Sequence, residues 1–238
     1  MSPRGPSLRG PAWRRLAPLL VLVALAAVAC GGKSGSSEDP ATALAKARHQ
    51  LDATSGLTLS LRTDDLPSGV EGLRSAAGTV TDAPAYDGTL GVVTGIGSFS
   101  VPVKAVGGKV YAQIPLTPGW SEVDPGDYGA PDPAQLLDAD HGVPSILAAT
   151  TSAAAGDQIR GGTDNKEVLS TYTGTVPASA VSAIIPGATG AFKATYALTS
   201  DDELRQLRLS GVFYSGHPAN TYTLLLTDYG KTLDVTAP

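Results

Sequence analysis

From residue 57 onward the chain places an apolar side chain at every second position. Leu57, Leu59 and Leu61 alternate with Thr58, Ser60 and Arg62, the period of a strand with one buried face. The pattern predicts further strands over 70–82 and 86–94, separated by the Ala83-Pro84 turn, with Leu90 and Val92 on one face of the second. Gly95-Ile96-Gly97 then turns the chain into Phe99, Val101, Val103 and Ala105. Gly107-Gly108 is a short hairpin signal before a strand over 109–115. This block reads as an antiparallel meander. Later strands are predicted at 158–163, 167–176, 191–199, 204–214 and 221–228, with a last extended piece at 232–236.

Helical signals fall before and between these runs. Asp39-Pro40 couples an N-cap residue with proline at the first helical position. Leu44, Ala47 and Leu51 follow at helical spacing and Gly56 lies just beyond, so a helix is expected over 40–54. Asp132-Pro133 repeats the cap-and-proline signal and opens a short helix over 134–137. Another covers 143–151, with Ile146 and Leu147 as its apolar residues. A further one covers 178–185, with Val181, Ile184 and Ile185 on one face and Pro186-Gly187 as the stop. Strand runs separated by clusters of helix imply an α+β layered domain and not βαβ units. Residues 40–238 read as one domain, with no convincing internal repeat.

The N-terminus has a different character. Arg4, Arg9, Arg14 and Arg15 precede an apolar run over 16–29 that ends in Ala27-Val28-Ala29, directly before Cys30, the only cysteine. A basic start, a short apolar middle and small residues at the end make a secretory signal. A cysteine at the cleavage point, followed by the Gly/Ser-rich stretch 31–37, points to the lipoprotein form. Residues 1–29 are then removed, Cys30 carries the lipid anchor, and 30–39 is a flexible tether. The usual Leu three residues before the cysteine is Ala27 here, and a plain signal peptide is the alternative. The apolar run contains Pro18 and is shorter than the roughly 20 residues of a spanning helix.

Charge narrows the field. The signal holds four of the 17 Lys and Arg residues and none of the 22 Asp and Glu, which leaves the mature chain at −9. Nucleic acid is excluded as a partner, because affinity for phosphate backbones comes from clustered Lys and Arg. With Cys30 acylated, no thiol remains for a disulfide, a metal or catalysis. Only 5% of residues are aromatic. That small-residue composition fits GC-rich coding, and it equally fits an interior that stays partly open.

Candidate chemistry is sparse. His49, His141 and His217 show no metal-ligand spacing. No Gly-x-Ser-x-Gly elbow is present, Gly95-Ile96-Gly97-Ser98 being the nearest approach and better read as a turn. No phosphate loop, dinucleotide fingerprint or EF-hand appears. Asp64-Asp65 and Asp201-Asp202-Glu203 read as solvated turn residues. No catalytic site, metal or cofactor is expected, although a Ser/Asp/His set gathered from distant segments stays open. What remains is the aliphatic face of Leu59, Leu61, Leu90, Val92, Phe99, Val101 and Val103, with short apolar helices available to cover it. That face closes into an ordinary core or lines a ligand cavity, and the pattern allows both.

The stretch from Pro131-Asp132-Pro133-Ala134-Gln135-Leu136-Leu137 through Gly142 to Ile146-Leu147-Ala148 resembles the central helical segment of the LppX/LprAFG family of mycobacterial envelope lipoproteins. Gly108-Lys109-Val110-Tyr111-Ala112, Trp120-Ser121 and Leu226-Thr227-Asp228-Tyr229-Gly230-Lys231 lie around it in the family's order, closest to its LprG-like branch. The resemblance implies an antiparallel half-barrel sheet wrapped over several short helices, with a hydrophobic cavity between the layers. It implies a non-enzymatic protein, lipid-anchored through Cys30 on the extracytoplasmic face of the cell membrane. Such a protein binds a triacylated lipid or glycolipid, assists its transport to the outer envelope, and works beside a major-facilitator transporter. By sheet position, Leu59, Leu61, Leu90, Val92, Phe99, Val101 and Val103 would line the cavity, with Ile146, Leu147, Ile184 and Ile185 as its helical wall. The alternatives are a structural or adaptor lipoprotein of a membrane complex and, behind it, an envelope hydrolase.

Overall fold

Among the described residues, eleven strands form one sheet in which every neighbouring pair is antiparallel. The computed structural model describes residues 38–128, 130–162 and 165–238. The predicted signal peptide, Cys30 and the tether as far as residue 37 lie outside the described residues. The strands are β1 (Gly56–Arg62), β2 (Gly72–Thr81), β3 (Ala85–Thr94), β4 (Gly97–Val106), β5 (Lys109–Ala112), β6 (Ser121–Val123), β7 (Thr151–Gly161), β8 (Glu167–Pro177), β9 (Thr189–Leu198), β10 (Leu204–Val212) and β11 (Asn220–Thr227). Their order across the sheet is β6-β5-β4-β3-β2-β1-β11-β10-β9-β8-β7. The chain therefore starts in the middle, meanders out to one edge, crosses to the other edge through its helices, and meanders back. The two halves join where Leu59 faces Leu226 and Leu61 faces Leu224.

Alternation puts one apolar row on the inner face: Val101, Leu90, Ala76, Leu61, Leu224, Leu207, Tyr196 and Tyr172 stand opposite one another strand by strand. Beside that row, Gly78 pairs directly with Gly88, and the absence of side chains there makes room for Tyr86. A Cβ on Gly78 would lie 2.8 Å from Tyr86 Cε2, and one on Gly88 would strike the Tyr86 hydroxyl and the Ala77 carbonyl. The Tyr86 hydroxyl donates to Ala77 O at 3.0 Å. Burial pushes its pKa well above the ordinary value, so it stays a neutral donor.

The helices cover this inner face, which completes the α+β half-barrel expected from the sequence. Helix α1 (Pro40–Ala53) starts at Asp39, whose carboxylate accepts from Thr42 N at 2.9 Å. It buries Ala43, Leu44, Ala47 and Leu51, each leucine contributing about 1.5–3 kcal/mol. Asp132 caps a 3-10 helix, Pro133–Leu137, by accepting from Ala134 N at 2.9 Å. Helices α2 (Val143–Ala148) and α3 (Ala178–Ser182) complete the cover.

Several expected boundaries move, each for a local reason. The helix over 143–151 ends at Ala148, and Thr151 opens β7. Thr150 donates its hydroxyl to Ile146 O and meets the Tyr196 hydroxyl at 2.5 Å, which pins the end of α2 to the sheet. Burial raises the Tyr196 pKa to about 12. Strand β7 begins well before the predicted residue 158, because its Ala- and Gly-rich first half is an exposed sheet edge with no apolar alternation. The helix over 178–185 stops at Ser182. Ile184 and Ile185 follow in a turn in which both backbone N–H groups donate to Val181 O. β6 and the 3-10 turn Pro125–Tyr128 are too short to show a period. The piece at 232–236 joins no strand among the described residues, although Val235 is buried.

One loop ties the two halves together. Asp65, between β1 and β2, accepts from Thr221 N at 3.0 Å and from the Thr63 hydroxyl at 2.8 Å. Burial pushes its pKa up, but those hydrogen bonds outweigh it and hold the carboxyl below the ordinary 3.8. A folded pKa below the unfolded one stabilises above the unfolded value and is lost as pH falls through the folded value. Asp65→Asn should therefore lower the Tm at pH 7, with the gap to wild type closing as the pH drops below 3.8. Thermal melts across pH 2–7 would check this, and a gap independent of pH would refute it.

Candidate functional site

Between the inner face of the sheet and its helical cover lies an apolar cavity. Leu59, Leu61, Leu73, Ala76 and Leu90 line it from β1, β2 and β3. Leu207, Leu209, Tyr222 and Leu224 line it from β10 and β11, with Phe213 just after β10. The cover supplies Ala130, Pro131, Pro133, Leu136, Val143, Ile146, Val181, Ile184 and Ile185. Counting its open mouth, the cavity holds about 820 Å³ of atom-free space, of which about 90 Å³ admits the centre of a water molecule. It is narrow.

Among the described residues, the one polar side chain on this wall is already engaged. Tyr222 donates to Leu73 O and lies 2.8 Å from the Tyr214 hydroxyl. Burial and the Tyr214 hydroxyl beside it raise its pKa well above the ordinary range. Phe213 stands edge-on to both Phe192 and Tyr222, with ring centroids 4.8 Å apart in each pair, so aromatic packing braces this end. A wall of this composition sheds water from hydrocarbon.

Polar groups gather next door. A second recess of about 540 Å³ is lined by Asp132, Gln135, His141 and Ala183 and shares Pro131, Leu136 and Ile184 with the cavity. His141 Nδ1 lies 3.1 Å from Asp138 Oδ1. Asp138 also accepts from the backbone N–H groups of Asp140 and His141, which hold its pKa below the ordinary value. His49 is on α1 and His217 lies between β10 and β11, so the three histidines stand on separate elements. Among the described residues no cluster of three His, Cys, Asp or Glu could hold a metal ion. No described helix is long and apolar enough to cross a membrane.

The structure divides the expected cavity residues into two groups. Leu59, Leu61, Leu90, Ile146, Ile184 and Ile185 stand on the cavity wall. Val101, Val103 and Leu147 do not, being buried in the packed core. Val92 and Phe99, which pair across β3 and β4, are half-buried beside that core. The reason is that the cavity is centred on the β1–β11 seam, so β4 falls outside it. Leu73, Ala76, Leu207, Leu209, Phe213, Tyr222 and Leu224 were missed. The alternations Leu207/Leu209 and Tyr222/Leu224/Leu226 are visible in the sequence, but only the pairing of β11 with β1 brings them to the same wall.

Comparison with known proteins places the chain. Residues 39–235 match the family profile of the LppX_LprAFG lipoproteins. The chain belongs to the LppX_LprAFG lipoprotein family. Within it, the lipoarabinomannan carrier protein LprG of Mycolicibacterium smegmatis is 34% identical over 244 residues, spanning 92% of this chain and 94% of that one. Two solved LppX_LprAFG-type structures share the fold. The crystal structure of LprF from Mycobacterium bovis superposes with a TM-score of 0.68 at 14% identity, covering 86% of this chain and 99% of that one. That of Mycobacterium tuberculosis lipoprotein LppX gives 0.61 at 20% identity, covering 84% and 100%.

Proposed function

We propose that this LppX_LprAFG member is a non-enzymatic carrier that takes acyl chains of an envelope lipid or glycolipid into the cavity under its half-barrel. In this reading it is exported and held on the extracytoplasmic face of the cell membrane by acylated Cys30. It assists transport toward the outer envelope beside a major-facilitator transporter. The observation that carries the proposal is the wall itself, aliphatic from both halves of the sheet and from the cover, with its single hydroxyl already paired. The likeness to a protein named as a lipoarabinomannan carrier supports it. Each methylene moved from water to such a wall contributes about 0.8 kcal/mol, so sixteen come to roughly 13 kcal/mol before association and ordering costs. The narrow cavity means that a full chain enters as the cover moves outward. The part of the cover that lines the cavity comes from helices of only five and six residues, Pro133–Leu137, α2 and α3, and the turns beside them.

Native mass spectrometry of the protein purified from membranes of its own host tests the proposal in one experiment. The expected spectrum shows an N-terminal Cys30 with acyl mass and a non-covalent acylated lipid released on collisional activation. A protein that leaves the host acylated at Cys30 but without bound lipid would favour the adaptor reading. Turnover of an ester substrate by the same preparation would favour the hydrolase.

A further inference from the structure

We infer that the β3–β4 hairpin and the 113–120 loop are the part of this protein that enters a lipid layer, with Val92, Phe99 and Ile114 as the apolar track from that layer to the cavity. Insertion stands on the surface alone. The track rests on the carrier reading above.

Ile96, at the hairpin tip, is 83% exposed and Leu116, in the loop, is 98% exposed. Isolated exposed aliphatics are common and mean little. These two have three further features. They project from the same end of the sheet: Thr94 faces Gly97 to close the hairpin, and Gln113 N donates to Pro102 O, which sends the loop along β4 toward that tip. Both segments are free of charge, with no Asp, Glu, Lys, Arg or His between Gly88 and Val103 or between Val110 and Ser121. The exposed Glu71 carboxylate stands beside Gly95 in the hairpin turn, so the tip has one acidic neighbour from outside these two segments. Leu116 is held at φ +68°, a conformation that residues with a bulky side chain rarely adopt and that marks functional segments.

The apolar surface is continuous inward. Val92 and Phe99 face each other two residues from Leu90 and Val101 along β3 and β4, and Ile114 packs beside the same core, all three half-buried. Leu90 is the first residue of this series on the cavity wall. A neutral lipid layer is the occupant that fits. Two isolated tips offer far less than the roughly 800 Å² per partner of a stable protein interface. An acidic chain whose tip segments contain no Lys or Arg gains nothing from anionic head groups.

The test uses the full acylated protein in phosphatidylcholine vesicles, in a Trp120→Phe background. Single tryptophans are introduced as Ile96→Trp, Leu116→Trp and, at an exposed position of β8, Val168→Trp. Brominated phosphatidylcholine should cut the emission of the first two by about twofold and leave the third unchanged, since indole partitions to the membrane interface. Equal quenching at all three sites, or quenching at the tips only when anionic lipid is added, would overturn insertion. The pair Ile96→Asp and Leu116→Asp should slow loading of a fluorescent fatty acid from vesicles about tenfold while leaving its affinity in solution unchanged. Unchanged loading would overturn the track. A wild-type protein that takes up no fatty acid at all would count against the carrier reading, and the quenching result would still decide insertion.

Discussion

Leu90→Trp should abolish co-purified lipid while leaving the melting temperature of the ligand-free protein close to wild type. Leu90 stands on the cavity wall, opposite Ala76 on β2 and only half-buried. An indole there extends into the space that admits water centres, about 90 Å³, and occupies the volume an acyl chain needs. In a filled core the same change is overpacking and would destabilise by about 1–3 kcal/mol. Fatty-acid binding and thermal melts on one variant therefore separate the two states of the site. A strongly destabilised variant, from a wild type that itself binds no fatty acid, would show that the cavity is a closed core. Val92→Trp is the informative control: Val92 is not on the wall, so it should impair binding less than Leu90→Trp.

The largest loss of stability is expected from a single methyl group. Gly88→Ala drives a Cβ against the Ala77 carbonyl and the Tyr86 hydroxyl. One obstacle is backbone in the adjoining strand and cannot swing away. The other is the buried Tyr86 hydroxyl, whose hydrogen bond to Ala77 O would break. Strain of about 1–3 kcal/mol and a stranded buried hydroxyl of similar size give roughly 2–6 kcal/mol in total. For a chain of this length that is a fall in Tm of about 4–24 °C. Tyr86→Phe in the same background should recover only part of the loss, because the clash with Ala77 O remains. A Gly88→Ala protein melting within a degree or two of wild type would refute this account of the Gly78–Gly88 pair.

The strands were readable where one face is buried and the other wet. Leu57/Leu59/Leu61 and Phe99/Val101/Val103 announce β1 and β4 because each alternates along a half-solvated sheet. The same rule fails at β7, whose run Thr151–Gly156 has almost nothing to bury on either face. It fails at β6 for want of length. The cavity was half readable. Local alternation identifies which residues of a strand share a face, but which strands face one ligand depends on pairing between distant segments, and Leu224 joins Leu61 only through the β1–β11 ladder. Ile184 and Ile185 reached the wall although α3 ends before them, because the turn that follows continues the same direction for one more step.

The meeting of the first strand with the last also governs how the molecule comes into being. β1 finds one of its two neighbours, β11, only after nearly the entire domain has been made. A chain released from its N-terminus onward holds β1 to β6 as half a sheet with an unfilled central edge, and contacts so distant in sequence close slowly. Until Thr227 emerges, no arrangement of the earlier strands can seal the interior. A polypeptide threaded through a membrane pore gains from such delay, since a domain that cannot finish early cannot jam the channel. The same interval leaves the open edge of β1 available to a holding chaperone, and to aggregation wherever that help is missing.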